Sequence, residues 1–396
     1  MRPAAWPRPD PRATRLLQID PRGDPEGGAF VEGTIGDLRH RLRAGDLLVV
    51  NDAATLPASL PGVTAAGAPV EARLVGDPGD AGNPGDTAAA GSPAWRAVLF
   101  GAGDWRTRTE ARPPASVAVG EVLRFDGLSA TVADVDASSP RLVSLVFDRR
   151  GAALWRALYR AGRPVQYAHT AGPVALWQVQ TAYAARPWAA EAPSAGFALT
   201  WDLLLDLRRR GVGLARVTDA AGLSSTGDAR LDARLPFAER FEVPAETVRA
   251  VESARESGGR VVAVGTSVTR ALEAAALRAA TSGGTRTGGG RLVASRGRTD
   301  LRLGPGVRRR VVDAILTGVH DPGTSHFTLL ASFAPEALLR RAYAFAEAHG
   351  YRGHEFGDAF LILGDPEVAV EQAAGGSPRY AEAAAGGSLD RKIAMQ

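Results

Sequence analysis

Cysteine is absent from the 396-residue chain, and lysine occurs once, at Lys392. Without cysteine the protein has no disulfide framework, no thiolate zinc site and no cysteine nucleophile. No stretch of 18 apolar residues occurs, and the first nine residues lack the apolar core of a signal peptide. We therefore expect a soluble, cytoplasmic protein without a membrane partner.

A strong excess of one charge is also lacking, because 47 basic and 43 acidic residues leave a net charge of +4. Nearly all the basic residues are arginine. Codon bias in a GC-rich genome explains this preference, and so does a phosphate-binding surface, since arginine holds phosphates with two hydrogen bonds. The arginine runs at 208–210 and 308–310 fit the second explanation, and both explanations stay open.

Histidine is scarce, and no two histidines have the HExxH spacing of a zinc site on a helix. The six are His40, His169, His320, His326, His349 and His354. Together with the lack of cysteine, this spacing leads us to expect no metal.

The length favours two domains, because a chain of 396 residues exceeds the usual limit of a single core. After Pro57 the sequence consists of short runs rich in β-forming residues, and helical periodicity begins at Gly151. We predict an α/β (α+β) fold in which a main domain, residues 1–56 and 151–364, is interrupted by a small antiparallel β-barrel at 57–150. The Gly-rich and Pro-rich stretch 76–91 is predicted to be a disordered hairpin loop, and residues 365–396 a flexible tail.

Residues 265–273 (GTSVTRALE) connect a buried strand, 260–264, to a helix predicted at 268–280. A glycine ahead of two hydroxyls lets the backbone approach a ligand closely, and the free N–H groups of the first helical turn attract an anion. Arg270 and Glu273, three residues apart, share one face of that helix. An ordinary N-cap, at Thr266 or Ser267, with a surface ion pair would explain the same pattern.

Residues 317–333 (TGVHDPGTSHFTLLASF) combine two histidines, an Asp-Pro turn and several hydroxyls directly ahead of an apolar run. A core helix does not need polar residues directly before it. Loops held by a rigid scaffold are where catalytic residues concentrate. We therefore expect a functional site here.

This segment resembles the T-N-F-H-x-P-x-S-T-L-L-x-L-x-S-A-F signature of the S-adenosylmethionine:tRNA ribosyltransferase-isomerases, enzymes of queuosine synthesis. Residues 265–273 resemble the family's G-T-T-S-V-R-T-L-E, and residues 351–362 its closing Y-R-F-x-S-Y-G-D-A-M-L-I. Residues 46–57 are similar to its D-L-L-V-x-N-D-T-x-V-x-P. The resemblance spans about residues 40 to 363.

Departures from the family pattern concern mainly its histidines. Ala198, Thr218 and Phe237 stand where the family carries imidazoles, whereas the acid of the M-H-x-E element is kept as Glu239. In the closing motif, His354 and Glu355 place titratable side chains at positions where the family normally has none.

The resemblance implies a reaction that needs no metal and no bound cofactor. S-adenosylmethionine is the co-substrate, and its ribosyl unit is transferred to 7-aminomethyl-7-deazaguanine in tRNA and rearranged, giving epoxyqueuosine. We expect a monomer. The catalytic candidates are His320, Glu239 and Asp358. The candidates for substrate binding are Gly265, Thr266, Ser267, Arg270, Glu273, Thr317, Ser325, Asn51 and Asp52.

Two alternatives stay open because three imidazoles are replaced. One is a diverged paralogue that uses S-adenosylmethionine with another acceptor. The other is a protein that binds S-adenosylmethionine without turnover. The polar groups kept in the 265–273 and 317–325 segments favour an enzyme, since an inactive site drifts towards apolar or small residues.

Overall fold

The computed structural model of the protein describes residues 1–23, 29–76, 94–281 and 292–364. Within these ranges the chain forms a nine-stranded mixed sheet flanked by helices, a closed barrel of six antiparallel strands, and a two-stranded sheet. The predicted fold class is confirmed. The loop predicted at 76–91 falls almost entirely outside the described residues, and so does the predicted tail at 365–396.

The nine-stranded sheet is mixed, with four neighbouring parallel strands at its centre. Its strands are β1 (Arg15–Ile19), β2 (Phe30–Thr34), β3 (Leu47–Asn51), β12 (Gly213–Asp219), β13 (Glu239–Val243), β14 (Val261–Val264), β15 (Ser295–Thr299), β16 (Ala314–Gly318) and β17 (Ala359–Leu363). Their order is β15-β13-β12-β3-β14-β16-β17-β1-β2. The four central strands are parallel, with Val49 opposite Ala215 on one side and Ala263 on the other.

Helices cover both faces of this sheet. The eight α-helices within the described ranges are α1 (Leu38–Arg41), α2 (Gly151–Ala161), α3 (Trp201–Arg209), α4 (Ala229–Asp232), α5 (Ala245–Glu256), α6 (Thr266–Thr281), α7 (Ser325–Leu330) and α8 (Glu336–Ala348). Successive side chains of a strand point to opposite faces. Leu47 and Val49 therefore pack with α5, α6 and α8, whereas Leu48 packs with α1 and α3.

The barrel strands all lie between Ser59 and Phe147. They are β5 (Ser59–Val63), β6 (Pro69–Leu74), β7 (Trp95–Phe100), β8 (Val122–Phe125), β9 (Leu128–Val135) and β10 (Leu142–Phe147), and the ring closes in the order β10-β7-β6-β5-β8-β9. Closure removes the exposed strand edges of the sheet. Helix α2 buries Trp155 against the barrel, where its ring packs edge-on at 6.0 Å from Trp95.

The short strands β4 (Ala53–Thr55) and β11 (Arg186–Ala189) form the parallel two-stranded sheet. The domain boundaries placed at 56/57 and 150/151 stay a prediction. No helix among the described residues has the length and apolar character needed to cross a bilayer.

Topology determines which loops share an edge of the main sheet. Strands β3, β12, β14 and β16 run parallel and are neighbours, so their carboxyl ends meet at one edge. In open sheets of this kind, ligands bind beyond the carboxyl ends of the strands. The segments that follow β14 and β16 are those singled out in the sequence, and both begin at this edge.

The arginine runs at 208–210 and 308–310 lie at the other edge, because they precede β12 and β16 in the chain. Arg309 donates to the carbonyl of Val312 at 3.0 Å, and its guanidinium carbon lies 4.1 Å from the ring centroid of Phe333. These runs therefore do not line the carboxyl edge.

Candidate functional site

Asn51 ties three elements together at the carboxyl edge. Its Nδ2 donates to the carbonyl of Asp219 at 2.9 Å and to Ser267 Oγ at 3.3 Å, and its Oδ1 accepts from the backbone N–H groups of Ala53 and Asp219. The side chain is buried. Asn51 was predicted to bind substrate. Its side-chain hydrogen bonds instead connect β3, β12 and the start of α6.

Gly265 makes the turn between β14 and α6. Its φ of +91° lies in the left-handed region that favours glycine, and its N–H donates to the carbonyl of Leu316 at 2.8 Å. Helix α6 begins directly after it, at Thr266, two residues earlier than predicted. Thr266 and Ser267 are therefore helical and turn their hydroxyls towards other elements of the site.

Two histidines stack at the site. The rings of His320 and His326 are nearly parallel, 14° apart, with centroids 4.6 Å from each other. His326 Nδ1 shares a hydrogen bond with Thr266 Oγ1 at 3.0 Å, and His320 Nε2 shares one with Thr317 Oγ1 at 3.1 Å. The two family-like segments, far apart in the sequence, thus meet through hydroxyl–imidazole contacts.

Burial keeps both imidazoles neutral near pH 7. It lowers the pKa of His320 well below its usual range, and protonation of His326 or His354 acts in the same direction. Burial also lowers the pKa of His326, to about 4, with Arg270 contributing. Each ring therefore has a nitrogen lone pair that is not lost to protonation.

A buried cluster of charges lies beneath the histidines. Arg270 forms an ion pair with Glu239, and Glu239 Oε1 also accepts from the N–H of Gly222 at 2.7 Å. Asp219, at the end of β12, is fully buried, and neither of its carboxylate oxygens has a hydrogen-bond partner among the described residues. The same holds for one terminal nitrogen of Arg270.

Burial raises the pKa of Asp219 to about 7, although the positive charge of Arg270 opposes the shift. Burial likewise lowers the pKa of Arg270, against the attraction of Asp219. A buried acceptor and a buried donor that lack partners are costly, and such groups recur where a ligand or a proton transfer completes the arrangement.

Other predicted residues contact the protein rather than this cluster. Asp52 pairs with Arg216 at 2.6 Å and accepts from the hydroxyl of Thr218. Glu273 accepts from three consecutive backbone N–H groups, at 310–312, over 2.7–2.9 Å. It does not meet Arg270, because the two side chains leave α6 towards different partners.

Asp358 and Ser325 also lie apart from the charge cluster. Asp358 pairs with Arg8 and accepts from the backbone N–H groups of Arg15 and Arg352 at 3.0 and 2.8 Å. Its carboxylate fastens the N-terminal segment to the turn before β17. Ser325 is exposed at the first position of α7, next to Thr324, whose hydroxyl caps that helix.

The three replaced imidazole positions hold no titratable group. Ala198 and Phe237 are buried in apolar clusters, and Thr218 bonds to Asp52. Helix α7 instead supplies an imidazole to the site from another direction, through His326.

Sequence reasoning did not select Asp219 or His326 as site residues. An acidic residue at the end of a mainly apolar strand was the available signal for Asp219. His326 lies six residues after His320 in the segment already singled out, but the spacing alone does not indicate that the rings stack.

Comparisons with known proteins give matches over most of the chain. The family described as queuosine biosynthesis protein has a model that matches residues 2–362. The S-adenosylmethionine:tRNA ribosyltransferase-isomerase of Methylobacterium radiotolerans is 34% identical over 369 residues, covering 91% of this chain and 94% of the relative. That of Anaeromyxobacter dehalogenans is 36% identical over 358 residues, covering 89% and 92%.

Among solved structures, the S-adenosylmethionine tRNA ribosyltransferase of Thermotoga maritima aligns with 91% of this chain and 96% of its own, at 24% identity and a TM-score of 0.46. The family assignment does not depend on that match. It follows from a family model that spans nearly the whole chain and from relatives above 30% identity: the chain belongs to the S-adenosylmethionine:tRNA ribosyltransferase-isomerase family of queuosine biosynthesis.

Proposed function

We propose that the protein transfers the ribosyl unit of S-adenosylmethionine to 7-aminomethyl-7-deazaguanine in tRNA and rearranges it to the epoxycyclopentane of epoxyqueuosine, with release of adenine and methionine. The observation that carries the proposal is the meeting of the 265–270 and 317–326 segments at the carboxyl edge of the sheet. Their contact is direct, through Thr266 and His326 at 3.0 Å. Family membership supports the same reaction.

His320 is the base in this proposal. A sulfonium acidifies the neighbouring C–H, so a positioned base can take a proton from C5′ of the ribosyl unit. Burial lowers the pKa of His320 well below neutrality, so the ring is unprotonated when substrate arrives. The hydroxyl of Thr317, 3.1 Å from Nε2, orients the ring.

Arg270 and Asp219 are the proposed contacts for the polar groups of the donor. The free nitrogen of Arg270 suits the carboxylate of the methionine part, and the carboxylate of Asp219 suits a hydroxyl or ammonium group. Glu239 orients Arg270 through their ion pair. Asp358 acts in this scheme by holding the N-terminal segment, since its carboxylate already accepts three hydrogen bonds.

The replaced imidazoles support a second candidate, a paralogue that uses the same donor with another acceptor. Ala198 and Phe237 pack in apolar clusters, so neither transfers protons as an imidazole would. The donor contacts around Arg270 do not involve these two positions, which leaves the choice of acceptor as the difference between the two candidates.

One assay separates the candidates. The protein is incubated with S-adenosylmethionine and tRNA carrying 7-aminomethyl-7-deazaguanine, and adenine release and the mass of the tRNA are followed. The proposal requires both adenine and a mass gain on the tRNA. Adenine or methionine release without tRNA modification would favour the paralogue, and binding without release would favour a non-catalytic protein.

Donor binding is tested separately by calorimetric titration with S-adenosylmethionine. Binding should weaken at least tenfold in Arg270→Gln and stay unchanged in Arg340→Gln, an exposed arginine paired with Glu336. An absence of heat with S-adenosylmethionine, beside a clear signal with an unrelated nucleotide, would contradict both enzymatic candidates.

A further inference from the structure

A second group of polar side chains lies next to the proposed site. The backbone N–H of His354 donates to the carbonyl of Val319, the residue directly before His320, at 3.1 Å. Behind it the rings of His354 and His169 lie 4.3 Å apart, at 33°. His169 Nε2 is 2.9 Å from Glu355 Oε2. None of these three residues has a role in the reaction proposed above.

We propose that His169, His354 and Glu355 bind one divalent transition-metal ion, through two imidazole nitrogens and one carboxylate oxygen. One ligand atom from each residue lies within 4.8 Å of the other two. In a site with bonds of about 2.0–2.2 Å, ligand atoms are roughly 3–3.5 Å apart. Small side-chain rotations therefore close the set around an ion.

The ligand chemistry selects the class of ion. Two imidazoles and a carboxylate form the set of catalytic zinc sites and of non-haem iron sites, whereas magnesium and calcium prefer oxygen ligands alone. All three side chains are partly exposed, so water can reach the cluster. We expect zinc, and its analogue cobalt, to bind with waters completing the coordination.

Neighbouring groups are arranged as they are around metal-binding histidines. The carboxylate of Asp321 lies 3.4 Å from His354 Nε2, in the position of an outer carboxylate that orients the ring. Tyr167 stacks on His169 at 14°, and its hydroxyl bonds to Glu191. His354 has a φ of 67°, uncommon for a residue other than glycine, and this conformation of the backbone carries its ring to the cluster.

Binding would join parts of the chain that are far apart in sequence, since His169 and Glu355 are separated by 186 residues. The ion would fasten the loop after α2 to the turn before β17, next to His320. The proposal does not depend on the proposed function, because its test measures metal and not turnover.

The test uses the full chain after treatment with a chelator. Zn²⁺ is titrated calorimetrically, and Co²⁺ is followed by its visible absorption. We expect one ion per chain and at least a tenfold loss of affinity in His169→Ala and in Glu355→Gln. His40→Ala and His349→Ala are matched controls, because both remove exposed histidines outside the cluster, and they should bind as the unchanged protein does.

Glu355→Gln keeps the size of the side chain, so it remains informative if His169→Ala fails to fold. Circular dichroism without metal checks the fold of each variant. Absence of Zn²⁺ binding to the unchanged protein would overturn the proposal. Equal affinity in Glu355→Gln, or equal losses in the two control variants, would also overturn it, since the ion would then be bound adventitiously at the surface.

Discussion

The barrel and the main sheet each bury a carboxylate among guanidinium groups, with opposite outcomes. In the barrel, Glu71 accepts from Ser59 Oγ at 2.8 Å, from Arg73 Nε at 2.7 Å and from Arg112. In the sheet, Asp219 accepts no side-chain or backbone hydrogen bond on its carboxylate from the described residues. Both side chains are buried, so burial alone does not explain the difference.

Their pKa values differ accordingly. Burial would raise the pKa of Glu71, but the charges and hydrogen bonds of Arg73 and Arg112 outweigh it, so the net shift is downward. Burial raises the pKa of Asp219 to about 7, because Arg270 only partly compensates. Arg270 has its ion pair with Glu239 instead. A carboxylate with all its partners holds a fold together, whereas one without them is available to a ligand or a proton.

Breaking the barrel cluster should have the largest effect. Glu71→Ala leaves the buried guanidinium groups of Arg73 and Arg112 without their carboxylate. Removing one partner of a buried ion pair costs about 3–5 kcal/mol of unfolding free energy. Urea unfolding measures the loss, and Arg106→Ala, which removes an exposed pair with Asp104, should change stability by less than about 1 kcal/mol. Similar small losses in both variants would contradict the structural role of Glu71.

Asp219→Asn should remove a pH-dependent destabilisation. The folded pKa of about 7 lies above the reference value of 3.8, so the folded protein holds a proton that the unfolded chain has lost between these values. The unfolding free energy of the unchanged protein therefore falls as pH rises from about 4 to about 7, by at most roughly 4 kcal/mol. In Asp219→Asn this component disappears.

Urea unfolding of both proteins from pH 4.5 to 8 measures the difference, with Asp202→Asn, an exposed change on α3, as control. Stability curves of the same slope for Asp219→Asn and the unchanged protein would show that Asp219 has an ordinary carboxyl pKa in the folded state.

His326→Gln should change stability with the opposite sign. The folded pKa of about 4 lies below the reference value of 6.5, so the unfolded chain takes up a proton that the folded state does not. Stability is therefore lost as pH falls from 6.5 towards 4, by at most roughly 3 kcal/mol. His326→Gln should lose this acid sensitivity, whereas His40→Gln should keep it. Identical acid midpoints in all three proteins would be inconsistent with a His326 ring that stays neutral in the folded state.

The smallest expected change is in the activation free energy of the reaction. His320→Ala should lower turnover of S-adenosylmethionine and tRNA at least tenfold, equivalent to about 1.4 kcal/mol, because the proposed base is removed. His349→Ala, which removes an exposed imidazole stacked on Phe345, should leave the rate unchanged. An unchanged rate in His320→Ala would remove that residue from the mechanism.

The fold class was predictable because it depends on local sequence patterns. Short runs of β-forming residues between Pro57 and Gly151 indicated the barrel, and helical periodicity from Gly151 agrees with α2. The start of α6 was less predictable. Thr266 and Ser267 have the composition of helix caps, but His326 and Asn51 occupy their hydroxyls, and those partners come from elsewhere in the chain.

For the candidate site, the sequence indicated which segments lie near each other and was less informative about single side chains. Residues 265–270 and 317–326 meet through Thr266 and His326. Glu273 was grouped with Arg270 because a spacing of three shares a helix face, but its carboxylate satisfies backbone N–H groups at 310–312. Whether a given polar residue binds protein or ligand depends on long-range partners, and spacing along one helix contains no information about them.

Some properties follow from the sequence without any structure. The absence of cysteine excludes thiolate chemistry, and the motifs around Gly265 and His320 indicate the family, because these depend only on residue identity and local order. Other properties exist only once distant segments pack. The lack of hydrogen-bond partners for the Asp219 carboxylate among the described residues, the stacking of His320 on His326 and the approach of His169 to Glu355 are of this kind. They depend on the order of the strands and on burial, which determine what surrounds each group.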